Sequence, residues 1–255
     1  MRQVICPDVD ETSGLVHLRD AEYRHLVCVL RKKKGDHVSL RLSSGLLLDS
    51  VITKISKEEA VCEILGQLDM VTTTSSPLFI LMQWELKGSK MDTVIRQATE
   101  LGVSHIVPVF GEYSVPKFKN ENERTRREKI IRSAREQSGS PVATELFSST
   151  SISNAFNILE EIVEGRNTIF LLAYEKKLKE AENIFSIIEG KEEAIVVCIG
   201  AEGGISESEY SLLTNRGFKT IHFNTNILKA ETASVYAFAT VREAYFTKNE
   251  VTYGV

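Results

Sequence analysis

Cysteine is sparse in this chain of 255 residues, and the four that occur, Cys6, Cys28, Cys62 and Cys198, lie far apart with no CxxC pair. Such scatter excludes a disulfide framework and a thiolate metal cage, and reduced thiols fit a cytosolic protein. The five histidines are equally dispersed, none four residues from another or beside a cysteine, so no metal site is expected. No apolar stretch reaches the length that crosses a bilayer, and the opening MRQVICPDVDE lacks the apolar centre of a signal peptide. A cytoplasmic location is the expectation, with no membrane partner. Charge of neither sign dominates: 31 Lys and Arg stand against 35 Asp and Glu, a net charge of −4. The whole-molecule field does not draw a polyanion, so any nucleic-acid contact must come from local patches. Internal repeats and low-complexity segments are absent, as are the phosphate-loop motif and the GxGxxG dinucleotide fingerprint.

The hydrophobic fraction of 42% and charged fraction of 26% are those of a soluble globular protein, and the length suits one large domain or two ordinary ones. Residues 1–70 read as a small β-barrel or sheet. Short Val, Ile and Leu runs at 38–42, 46–55 and 60–65 are separated by turn residues such as Gly35-Asp36 and Ser43-Ser44-Gly45. Ahead of them, AEYRHLVCVLRKKK (21–34) reads as one helix with a basic tail. A polar, β-branched stretch ending at Pro77 reads as the linker, 71–77. From residue 78 to 255 apolar strands alternate with helical periodicity. Strands are expected at 78–84, 105–109, 168–173, 194–199 and 219–223. Helices are expected from 91 to Gly102, over 121–138, about 153–164, near 178–188 and from Glu231 onward. That alternation predicts an α/β domain with a parallel sheet.

Two short segments stand out. Gly200-Ala201-Glu202-Gly203-Gly204 follows the apolar run AIVVCI (194–199) and precedes Ser206-Glu207-Ser208-Glu209, which has capping-box spacing. Three glycines thus sit where a buried strand gives way to a helix. Their use there is positive φ or close approach of backbone to a neighbour. Ile227-Leu228-Lys229-Ala230-Glu231-Thr232-Ala233 repeats the strand–turn–helix layout. Ligands of parallel sheets bind beyond the carboxyl ends of the strands, so the two loops make one candidate pocket; a plain turn without ligand is the other reading. Glu202 and Glu231 are the only carboxylates inside this constellation.

Cations cluster elsewhere. Arg31-Lys32-Lys33-Lys34 suits phosphate contacts and equally suits a solvated helix end. Lys87 and Lys90 flank a strand-to-helix turn that either binds a phosphate or is merely exposed. The arginines of 121–138, Arg135 among them, alternate with glutamates, as in a solvent face laced by ion pairs.

GAEGGISESE followed by ILKAETA resembles the paired signature of the SPOUT-class RNA methyltransferases. Within that class the chain is similar to the ribosomal RNA small subunit methyltransferase E family. His25-Leu26-Val27-Cys28-Val29-Leu30-Arg31 with Gly35-Asp36, then Lys87, Lys90 and Met91, Glu100-Leu101-Gly102-Val103 and Glu136-Gln137-Ser138-Gly139, match that family's motifs in order. The resemblance implies a PUA-like N-terminal β-barrel that helps hold RNA, through Arg24 and Arg31 to Lys34, with Lys87, Lys90 and Arg135 beyond it. It implies a SPOUT α/β domain with a C-terminal trefoil knot, an exception to the rule against knots. S-adenosylmethionine would lie against Leu172, Ala173, Ile199 to Gly203, Phe223, Asn224, Ile227 to Lys229 and Thr232. The implied reaction is methylation of a uridine N3 in 16S ribosomal RNA by a homodimer. Lys229 would stabilise the N3 anion and Glu231 would accept the proton. The chain departs from the family pattern at Ala201, usually proline, and at Gln97, usually lysine. It departs again at Tyr113, Ser140, Asn226 and Lys229, usually arginine, and at Asn224, usually glycine. These departures motivate two rival readings: a SPOUT methyltransferase with another RNA target, and a non-catalytic RNA-binding homologue.

Overall fold

The computed structural model describes residues 3–6, 14–68, 77–114, 121–175 and 183–249. The chain divides into two compact units, one of residues 1–74 with 132–143, the other of residues 75–131 with 144–255. Of the expected linker only Pro77 lies among the described residues.

The first unit is a five-stranded sheet in the order β1-β3-β4-β5-β2, built from β1 (Gln3–Ile5), β2 (Leu15–Arg19), β3 (His37–Arg41), β4 (Leu47–Ile55) and β5 (Glu59–Gln67). β1 runs parallel to β3 and the other pairs are antiparallel. Register shifts in the β4–β5 pair, between Asp49 and Ser50 and between Ile52 and Lys54, accompany its curl. The barrel expected from the sequence is here an open half-barrel whose edge strands are β1 and β2. Alternating burial, as in β2 where Val16 and Leu18 are buried between exposed neighbours, gives one apolar face. Val4, Leu18, Leu26, Leu40, Ile52 and Cys62 form its core.

The single helix expected over 21–34 is a correction. α1 (Asp20–Arg24) passes into a π-helical turn, His25–Val29, closed by Leu30 N–H donating to His25 O at 2.9 Å. Arg31 then takes φ +54°, a left-handed conformation that ends helical geometry.

In the second unit a parallel sheet runs β12-β10-β11-β6-β7-β8, with β9 also on β7. Its strands are β6 (Leu78–Trp84), β7 (His105–Phe110), β8 (Glu145–Leu146), β9 (Thr150–Ser151), β10 (Thr168–Ala173), β11 (Ala194–Ile199) and β12 (Lys219–Ile221). β11 is buried along its whole length, as expected of a strand covered on both faces. The helices are α2 (Lys90–Glu100), α3 (Glu121–Ser138), α4 (Ile152–Ile162), α5 (Ile184–Ile187), α6 (Glu207–Asn215) and α7 (Ala230–Lys248). α2 buries Met91, Val94, Ile95 and Ala98, and Gly102 at φ +74° ends it, as its position predicts. α7 packs on α2, α5 and β11 through Ala237, Phe238, Val241 and Ala244. Among the described residues, no helix is long and apolar enough to cross a membrane.

Candidate functional site

β10, β11 and β12 end level with one another, Ala173 opposite Ile199 on one side and Ile221 on the other. Three loops leave those ends together, and a cavity of about 540 Å³ lies among them, closed by Lys90 and by Ala230 and Ala233. This is the crevice that the strand order of an open α/β sheet provides.

Of the sequence-predicted pocket residues, Ala173, Ile199, Gly200, Ala201, Glu202, Gly203, Phe223, Ile227, Leu228 and Lys229 line the cavity. Leu172 is buried within the sheet. Asn224 and Thr232 are exposed and stand off the wall. Gly204, Ala230 and Ala233, named in the two candidate segments but not among the implied cofactor contacts, line it as well, and the sequence reading missed Tyr174, Glu175, His222, Thr225 and Asn226. Several were within reach as direct continuations of predicted strands. β12 stops at Ile221, two residues before the predicted end, because His222 and Phe223 turn out to form wall. The His222 Nδ1 atom is buried without a hydrogen-bond partner.

The glycine loop is shaped by close packing. Gly204 adopts φ +78°, and a Cβ there would collide with Glu175. A Cβ on Gly200 would stand 2.8 Å from Ile205 Cγ1, and one on Gly203 would stand 2.9 Å from Tyr113 Cβ. Gly204 N–H donates to Ala201 O at 2.9 Å, closing the loop on itself. α6 opens with the predicted capping box: Glu209 N–H donates to Ser206 Oγ and Ser206 N–H to Glu209 Oε2. The same carboxylate accepts from Trp84 Nε1 at 3.1 Å and from Glu112 N–H at 2.7 Å, so the end of β6 and the turn after β7 hang on it.

Lys90, expected to touch RNA, lines the cavity and pairs with Glu202, Nζ to Oε1 2.9 Å. Lys87 N–H donates to the same oxygen at 3.3 Å. The Glu202 contact, and beyond it Glu231, raise the Lys90 pKa. Partial burial pushes the Glu202 carboxyl up, but Lys90 and the main-chain donors outweigh it and leave the pKa lowered. Lys229 is exposed in the extended N-cap position of α7. Glu231 is half-buried, and its Oε2 has no hydrogen-bond partner.

The other predicted cations differ in placement. Arg24, Arg31, Lys33, Lys34 and Lys87 are exposed, and Lys32 donates to His37 O at 2.9 Å. Arg135 is only 8% exposed and accepts Gln3 Nε2 at its main-chain oxygen, so it belongs to the interior of the first unit. Among the described residues, no group of His, Cys, Asp or Glu could hold a metal ion.

Residues 74–242 match the model of an RNA methyltransferase domain, and residues 18–65 that of an RNA methyltransferase PUA domain. The chain is 31% identical to ribosomal RNA small subunit methyltransferase E 2 of Borreliella burgdorferi, covering 94% of this chain and 96% of that one. It is 30% identical to ribosomal RNA small subunit methyltransferase E of Aquifex aeolicus, over 89% of this chain and 93% of the relative. Among solved structures, the Neisseria gonorrhoeae ribosomal RNA small subunit methyltransferase E bound to S-adenosyl methionine superposes with a TM-score of 0.80 at 26% identity, over 96% of this chain and 98% of that one.

Proposed function

Because the chain belongs to the ribosomal RNA small subunit methyltransferase E family, we propose that it transfers a methyl group from S-adenosylmethionine to the N3 nitrogen of a uridine in 16S ribosomal RNA. The observation that carries this reading is that the glycine loop and the 222–229 loop meet in one cavity.

The cavity suits the cofactor. Its volume lies in the range of small-ligand sites, and Ala173, Ile199, Phe223, Leu228 and Ala233 give apolar wall for a purine. Glu175 supplies negative charge for a cationic ligand, Glu202 being paired with Lys90, and His222 Nδ1 is a buried polar atom with nothing to satisfy it. Glycines at 200, 203 and 204 let main chain approach where any side chain would collide. When bound, S-adenosylmethionine supplies an electrophilic methyl group. The chain's own contribution is position, charge and a proton acceptor. The N3 imide is a weak acid, so a cation beside it favours the reactive anion, the role proposed for Lys229. Glu231, with an unpartnered carboxylate oxygen one residue beyond the start of α7, is the proposed acceptor of the N3 proton.

The same proposal takes in the RNA-holding role of the N-terminal half-barrel through Arg24 and Arg31 to Lys34, the trefoil knot, a homodimer and a cytoplasmic setting. A second reading, the same chemistry on a different nucleotide, is favoured by the exposed Asn224, Asn226 and Lys229 around the cavity. The test supplies labelled S-adenosylmethionine to undermodified small ribosomal subunits, with naked RNA alongside, and analyses the digested nucleosides by mass spectrometry. N3-methyluridine is expected. Label in another nucleoside would favour the second reading, and cofactor binding without any labelled nucleoside would point to a non-catalytic homologue.

A further inference from the structure

Gln83 is a fully buried amide in β6, a strand otherwise made of Leu, Phe, Ile, Met and Trp. A buried amide is costly unless its donors and acceptor are met. Its Nε2 faces three main-chain carbonyls, Trp84 O at 3.0 Å, Gly200 O at 3.1 Å and Ile199 O at 3.3 Å. Its Oε1 accepts from the Ser234 hydroxyl at 2.7 Å, and Ser234 is only 3% exposed. Chemistry fixes this orientation. Carbonyl oxygens accept only, so the amide NH₂ must face them and the amide oxygen must face Ser234.

The partners are not ordinary core atoms. Ile199 and Gly200 are where β11 becomes the glycine loop, and both line the cavity. Ile199 is also the register partner of Gln83 across the β11–β6 pair. Since N–H and C=O point oppositely across a trans peptide, drawing the carbonyls of 199 and 200 toward Gln83 turns the N–H groups of Gly200 and Ala201 away from it. Ser234 lies one turn past Ala230, the first residue of α7, and its hydroxyl also reaches Ala230 O at 2.9 Å. One hydroxyl proton thus serves either the helix itself or the bridge to Gln83.

We propose that Gln83 is a positioning residue of the methyl-transfer site: its amide sets the peptide orientation at the root of the glycine loop and, through Ser234, ties that loop to the turn of α7 that carries Glu231. The inference rests on reading the cavity as the cofactor site. It adds that the two loops of that site are not independent, because one amide is shared between the strand end behind the first and the helix that follows the second.

The test is a calorimetric titration of S-adenosylmethionine and S-adenosylhomocysteine into the full-length wild type and the Gln83→Met, Ser234→Ala, Ser234→Thr and Ser104→Ala variants. Ser104 provides the stability control: its buried hydroxyl donates to Phe79 O at 2.9 Å, near the opposite end of β6. Gln83→Met is expected to weaken both ligands about tenfold or more, as loss of a buried hydrogen-bonding group that holds the carbonyls of two wall residues implies. Ser104→Ala is expected to lower the melting temperature and leave both affinities unchanged. Ser234→Ala is expected to weaken binding less than Gln83→Met, and Ser234→Thr to restore it. If Gln83→Met does not fold, the Ser234 pair decides: wild-type affinity in Ser234→Ala overturns the proposal. Wild-type affinity in a folded Gln83→Met overturns it as well. Failure of the wild type to bind either ligand is a different result, and it removes the cofactor reading itself together with the inference built on it.

Discussion

Replacing Gly200 by alanine isolates the shape of the glycine loop from its chemistry. The added methyl would stand 2.8 Å from Ile205 Cγ1, 3.1 Å from the Gly204 carbonyl carbon and 3.3 Å from its oxygen. Carbon–carbon contacts settle at about 3.5–4.0 Å, so something must move by about 0.7 Å or more. Ile205 is 2% exposed and cannot swing into solvent, and the other neighbour is backbone. Overpacking of this kind costs about 1–3 kcal/mol. Without ligand, the loop sheds that strain by opening, because the lowest-energy opening is local and leaves the sheet intact. Binding must close it again, so the strain reappears as cofactor affinity weakened about 5- to 150-fold. Gly66→Ala is the control, since a Cβ there meets no atom within 4 Å. Calorimetry with S-adenosylmethionine and thermal melts on both variants test the reasoning. Unchanged affinity in Gly200→Ala, with the strain showing only as a lowered melting temperature, would refute the placement of this loop on the ligand.

Glu209→Ala leaves the Trp84 indole, the Glu112 amide and the Ser206 amide without their acceptor. At about 1–3 kcal/mol per stranded donor the urea midpoint should drop steeply, and the single tryptophan reports it by fluorescence; an unaltered midpoint and emission would contradict this. Arg127 and Glu85 form a bidentate pair, 2.9 and 3.1 Å, with side chains 4% and 0% exposed. Arg127→Met alone should cost about 3–5 kcal/mol, and adding Glu85→Leu should recover most of it; a double variant no more stable than the single would count against that account. The Lys90–Glu202 pair gives a pH signature. Glu202 is depressed, so the pair's contribution is whole above the ordinary carboxyl value of 4.5 and lost as pH falls through the lowered one. Lys90 is raised, so on the alkaline side the contribution is whole below 10.5 and lost as pH rises through the raised value. The stability difference between wild type and Glu202→Gln should therefore be flat from mild acid through neutrality and vanish at both extremes; a difference that changes near pH 7 would contradict the pairing.

Much of the second unit was legible because its strands read as unbroken apolar runs, β11 being buried on both faces throughout. Leu78–Trp84, Thr168–Ala173 and Ala194–Ile199 were predicted with these bounds, as was the helix 121–138. The capping box at Ser206 was legible because its chemistry is local. The short β8 and β9 carry too few residues for a period and were not anticipated. At 21–34 the apolar spacing does not separate an α-helical turn from a π turn over so few residues, and the left-handed Arg31 gives no sequence signal. The predicted helix near 178–188 is present over Ile184–Ile187, and residues 176–182 lie outside those described. The site was legible where glycines mark it and illegible where its support is tertiary. Nothing adjacent to Gln83 in sequence reveals that it serves carbonyls 116 and 117 residues away.

The positions where the chain departs from its family's usual cations separate by depth. Ser140 is 7% exposed, and the fully buried Arg41 lies beside it, donating to Gly139 O, Gly45 O and Gln3 Oε1 at 3.0, 2.7 and 2.9 Å. An arginine missing at 140 is thus an interior matter of the first unit and removes no surface charge. Gln97 is likewise half-buried, with its Oε1 unpartnered, so position 97 is not a fully exposed one in this chain either. Tyr113, Asn224, Asn226 and Lys229 are exposed. Asn226 and Lys229 line the cavity, Asn224 lies in the same loop, and Tyr113 packs against Gly203. Of these four only Tyr113 and Asn226 lose a charge, since Lys229 is still a cation and Asn224 stands where glycine is usual. Both losses lie at one opening, whose wall keeps its glycines, its ion pair and its shared amide. Phosphate contacts add affinity in proportion to the cations that make them, whereas a main-chain cradle does not depend on them. The departures thus fall into lost charge at the opening, the interior positions 97 and 140, and Ala201 in the glycine loop itself, and only the first of these bears on phosphate contacts.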